Sequence, residues 1–144
     1  MPRPSMRDNA IDALGASHAY KAGSAHTTAQ TVVAAQATGL KIRVKAFRIV
    51  AANANATDAA TNDLWLSDGA STALLGLVSI PIIDSQANTN ITPWYDSGIV
   101  ILPGFGVAGT AATALTIDAT ATDANLKFQL DVWYDVINAT GDVQ

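Results

Sequence analysis

At 144 residues the chain has the length of one domain, enough to bury a core without a metal or a disulfide, and its lack of cysteine excludes thiolate chemistry, cysteine zinc sites and disulfide stapling. The net charge of -4 argues against a nucleic-acid partner, since such proteins carry a basic excess. Charged residues make up only 14% while Ala, Thr, Asn and Gly abound, a composition suited to a protein whose surface is covered by neighbours.

Residues 1–28 carry Pro2, Pro4, Gly15 and Gly23 among small polar residues and lack periodicity, so they are expected to form an extended N-terminal arm before a β-sandwich domain at 29–144. The arm has two readings, a tether to a neighbouring subunit or a short strand capping its own domain. Its basic residues are Arg3, Arg7 and Lys21. The opening MPRPSMRDN has no apolar segment behind its basic residues, so no secretory signal is expected. No run approaches the roughly 18 apolar residues of a membrane helix, and no membrane partner is expected.

Residues 30–35 read as a short strand and Thr38-Gly39 as a turn. Residues 40–52 (LKIRVKAFRIVAA) are the most strongly patterned run. Leu40, Ile42, Val44 and Ala46 alternate with Lys41, Arg43 and Lys45, and a period of two places the two sets on opposite sheet faces. A polar loop follows. Residues 63–67 form a strand, Asp68-Gly69 a tight turn, and residues 73–83 an apolar strand whose Pro81 marks an edge or a bulge. Residues 86–92 read as loop, and 94–102 as a strand broken at Gly98 and ended by Pro103-Gly104.

Residues 114–119 alternate again, and 125–137 (NLKFQLDVWYDVI) place Leu126, Phe128, Leu130, Val132, Tyr134 and Val136 against Lys127, Gln129, Asp131, Trp133 and Asp135. If this last strand lies antiparallel to 40–52, Asp131 and Asp135 can face Lys41, Arg43 or Lys45. Each such pair contributes roughly 0.2–1 kcal/mol. Seven or eight short strands without a convincing amphipathic helix predict an all-β, antiparallel β-sandwich. A jelly-roll-like topology is favoured, because the long strands lie early and late in the chain; an immunoglobulin-like sandwich is the rival.

Several motifs suggest chemistry. Gly104, Gly106 and Gly109 satisfy the dinucleotide pattern GxGxxG, but the residues after them are threonine-rich and alternate with period two where a helix is required, so these glycines are expected to turn one strand into the next. Ser17 and His18 with an aspartate could make a triad, yet their surroundings are not a nucleophile elbow, and His18 and His26 read as exposed arm residues.

Asp58, Asn62, Asp63 and Asp68 could ligate calcium but lack EF-hand spacing, and they read as turn formers. Asn55, Asn90 and Asn138 open glycosylation sequons of the kind an Asn- and Thr-rich chain contains by chance. Trp65, Trp94, Tyr95 and Trp133 could form a sugar platform, or serve as core or interface packing. No catalytic residue, cofactor or metal is expected.

The succession of a basic-apolar strand (KIRVKAFRIVAA), LWLSDGASTALLG, PWYDSGIVIL, GVAGTAATALTIDAT and a closing LKFQLDVWYDVI resembles the small β-sandwich virion proteins of tailed bacteriophages, the capsid decoration or cement proteins. The resemblance spans residues 40–138 and rests on pattern and composition. It implies a non-enzymatic protein on the capsid exterior that bridges subunits of the major capsid protein and forms a homo-oligomer, a trimer above all. Contact residues expected on charge are Arg3, Arg7, Lys21, Lys41, Arg43 and Lys45, with Trp133 added because its alternation places it opposite the core face. A carbohydrate- or receptor-binding head or tail appendage is the alternative.

Overall fold

The computed structural model describes Leu14 and residues 17–24, 29–53, 61–69, 72–81, 94–119 and 126–144. Among the described residues ten strands form two antiparallel sheets: β1 (Ser17–Ser24), β2 (Gln30–Val33), β3 (Lys41–Asn53), β4 (Thr61–Asp68), β5 (Thr72–Pro81), β6 (Trp94–Asp96), β7 (Val100–Ile101), β8 (Val107–Ala108), β9 (Leu115–Ala119) and β10 (Leu126–Ile137). The larger sheet runs β1-β10-β3-β6, with β7 and β8 also on β3; the smaller runs β2-β9-β4-β5. The chain is an all-β sandwich.

Residues 94–108 are one strand in three pieces, since β6, β7 and β8 pair in turn with residues 50–52, 46–47 and 43–44 of β3. Taken so, the strands number eight and pair in nested order. The first pairs with the last (β1 with β10), the second with the one before it (β2 with β9), β3 with the interrupted strand, and β4 with β5. A two-residue period and β-branched side chains suit these segments to a pleated, half-buried surface.

The core lies between the sheets. Ile42, Val44, Phe47, Ile49, Phe128, Leu130 and Val132 of the larger sheet meet Val33, Leu64, Leu66, Leu77, Leu115 and Ile117 of the smaller. Burying each such side chain contributes roughly 1.5–3 kcal/mol. The β3–β10 pair expected from the sequence is present, antiparallel, over the length of both strands.

Two expectations are corrected. The alternation of β3 does not run unbroken. Trp133 lies opposite Ala46 and Tyr134 opposite Val44, so Lys45 is an extra residue in a bulge, and the core face passes from Ile42 and Val44 to Phe47, Ile49 and Ala51. Second, residues 17–24 of the expected arm are a regular strand of the domain's own sheet, held by main-chain pairing to residues 127–134. The capping-strand reading therefore describes this part. Arg3 and Arg7, with the rest of 1–13, lie outside the described residues, as do the loop expected at 86–92 and the residues Asn55, Asp58, Asn90 and His26.

Candidate functional site

Residues directly opposite in an antiparallel pair share a sheet face, so the register maps the outer surface of the larger sheet. One row across it reads His18, Trp133, Ala46, Ile101. The His18 and Trp133 rings pack with centroids 5.1 Å apart, and Ala46 is fully buried between its neighbours. Beyond His18 this row is apolar, and both sides of it are charged. On one side Arg43 donates to Asp135 at 2.8 Å with both side chains largely covered. On the other, Asp131 contacts His18 at 2.8 Å, and Arg48 grips Asp96 through two hydrogen bonds of 3.0 and 2.6 Å. An apolar centre with a polar rim is the anatomy of a protein interface.

At the Ile101 end the interrupted strand leaves the ladder twice, and each excursion is anchored. In the first, Ser97 exchanges hydrogen bonds with the Ile49 backbone, and Gly98, at φ 61°, donates to Asp96. The Arg48 hydrogen bonds, with that of Gly98, hold the Asp96 carboxyl down to about 2. In the second, Leu102 donates to the Lys45 carbonyl at 2.9 Å while its side chain enters the core. The bulge at Lys45 thus marks where the partner strand departs.

Gly106 closes this loop at φ 82°, so near β3 that a Cβ would stand 2.1 Å from the Val44 carbonyl oxygen. Glycine is required there for close approach of two backbones. Between these anchors three large apolar side chains stand in solvent: Ile99 and Ile101 at 56% exposure and Phe105 at 80%.

The glycine motif is therefore strand, turn, strand. Residues 103–105 turn, β8 follows at Val107–Ala108, and no helix begins after Gly106, which removes the dinucleotide reading. Ser17 is registered opposite Tyr134 and His18 opposite Trp133, so serine and histidine point to opposite faces and the triad does not assemble. Asp68 accepts hydrogen bonds from the Thr110 amide and the Thr113 hydroxyl, fixing residues 110–113 to the end of β4. Burial raises its pKa, but these hydrogen bonds outweigh it and hold the carboxyl below its ordinary value. Among the described residues no three His, Asp or Glu groups are placed to hold a metal.

Asn138 accepts hydrogen bonds from the Thr140 and Asp142 amides through its side-chain oxygen and so acts as a turn former. Trp65, Tyr95 and Trp133 do not make one platform. Trp65 lies opposite Asp118 in the smaller sheet, Tyr95 opposite core-facing Ala51, and Trp133 on the outer face of the larger sheet; Trp94 is described by its backbone alone.

Of the residues expected at a contact, Arg43 is neutralised by Asp135, Lys45 is buried at the bulge, and Lys21 is registered with Leu130 on the core side of the sheet. Lys41 and Trp133 remain on the outer face. Sequence reasoning missed Ile99, Ile101 and Phe105, whose signal was apolar residues set beside Gly98, Gly104 and Gly106. No protein-family model and no curated protein sequence matches the chain.

Proposed function

We propose that the chain is a non-enzymatic structural protein of a phage virion, a decoration or cement protein that binds the capsid exterior and bridges subunits of the major capsid protein. The observation that carries this reading is the set of Ile99, Ile101 and Phe105, held out in solvent by anchored loops at the end of the apolar row through Trp133. Large apolar groups kept exposed on fixed backbone mark a contact surface, and their anchoring means little order has to be gained on binding. Modest contacts repeated over a lattice add strength through multivalency.

The nested pairing supports a jelly roll. In an immunoglobulin sandwich the first two strands are neighbours in one sheet, whereas here β1 and β2 lie in different sheets and pair with the last two strands. Trp65, Tyr95 and Trp133, which share no common face, speak against the sugar-binding alternative.

Co-sedimentation of the purified chain with empty heads of the phage that encodes it tests the proposal. Stoichiometric binding that raises the temperature of head rupture is the expected result; a chain that stays in the supernatant overturns it.

A further inference from the structure

We propose that β1 is a self-association edge through which two copies of the chain pair about a two-fold axis centred on Tyr20. Sheet edges invite pairing with other chains, and proteins blunt them by shortening, bulging or breaking the strand. Among the described residues three of the four edges are treated this way. β2 has four residues and a register shift, β5 carries two register shifts and ends on Pro81, and residues 94–108 leave the ladder twice. β1 differs. It runs eight residues in unbroken register against β10, contains no proline, and has no second strand neighbour among the described residues.

Its sequence also selects a partner and a register. An antiparallel copy continues the sheet with matching faces only if even-numbered residues meet even-numbered ones. Two-fold pairing must then centre on one residue. Centring on Tyr20 or Lys21 keeps seven of the strand's eight residues paired, more than any other centre, and centring on Lys21 sets two ammonium groups opposite each other, which is destabilising. Centring on Tyr20 places Tyr20 against its mate, His18 against Ala22, and Lys21 against the small Ala19, with no like charges opposed. Tyr20 is 56% exposed on the outer face, so the pairing covers the largest side chain the strand leaves in solvent. The interface is a single strand pair with one aromatic contact, which belongs to the weak, concentration-dependent class. Its symmetry is two-fold, in place of the trimer that the resemblance implies.

The chain has no cysteine, so single cysteines report the register directly. In the full-length chain under mild oxidation, Tyr20→Cys is expected to form a disulfide dimer, since opposed Cα atoms lie about 4.5–5.5 Å apart. Ala22→Cys on the same face is expected to stay uncrosslinked, because its mate lies four residues along the strand, roughly 14 Å away. Sedimentation equilibrium of the cysteine-free chain should show monomer and dimer exchanging, and Tyr20→Lys should weaken the dimer roughly tenfold or more. Equal crosslinking at both positions, or a wild-type chain that remains monomeric at millimolar concentration, overturns the proposal. No capsid enters these experiments, so they stand or fall apart from the proposed function.

Discussion

At one edge of the larger sheet β1 follows β10 for eight residues without a break; at the other, residues 94–108 follow β3 and leave it twice. The continuous edge needs only main-chain pairing and a two-residue period. Its residues are small or polar, and its capacity lies in backbone groups. The interrupted edge needs much more local specification, with Gly98 and Gly106 in the left-handed region, Asp96 and Ser97 bonded to β3, and Leu102 sunk in the core. What this yields is the exposure of Ile99, Ile101 and Phe105. Breaking a strand thus removes a template for pairing while creating a side-chain surface, so the two edges of one sheet are suited to different contacts.

The largest effect on this contrast should come from Gly106. Gly106→Ala adds a methyl against the Val44 carbonyl and strains a φ of 82°, and should cost about 3 kcal/mol in urea unfolding. Gly98→Ala shares the backbone strain, at φ 61°, but meets open space, and should cost about 1 kcal/mol. Leu102→Ala should release the second excursion at a cost of roughly 2–3 kcal/mol, the lower part of the range for a core leucine because the site lies near the surface.

A smaller effect concerns acid. The depressed pKa of Asp96 contributes stability that is present above about pH 4, the unfolded carboxylate value, and is lost as pH falls through about 2. Thermal melts of the wild type should therefore fall across that window, and Asp96→Asn should flatten part of the fall. An unchanged acid limb in the variant would show that the Arg48 pair does not hold the first excursion. The smallest effects on folding belong to Phe105→Ser and Tyr20→Ser, each within about 0.5 kcal/mol of wild type. They should separate the edges, Phe105→Ser losing capsid binding and Tyr20→Ser only weakening self-association.

Much of this fold was legible in the sequence because β3 and β10 alternate cleanly where both faces are decided by burial. Their antiparallel pairing, the ion pair of Arg43 with Asp135, and the outward Trp133 follow from that alternation. The bulge at Lys45 was the main loss, and its trace was present: charges occupy odd positions at 41, 43 and 45, then an even one at Arg48. A single phase carried through the strand misassigns Ala46 and everything after it, so that Ala46 is expected with the core and lies on the outer face. β1 was hidden by Ala19, Ala22 and Gly23, side chains too small to reveal a period of two. The exposed trio was hidden for the opposite reason, since isoleucine and phenylalanine in a β-rich chain read as core until the glycines that turn them outward are placed.

Hydroxyl-radical footprinting of the chain free and bound to empty heads tests the central claim most directly, because it reads the solvent access of individual apolar side chains. Ile99, Ile101 and Phe105 are expected to lose oxidation on the heads while Val143, exposed in the terminal segment, does not. A chain that sediments with the heads yet leaves Phe105 oxidised at the rate of the free protein would contradict it.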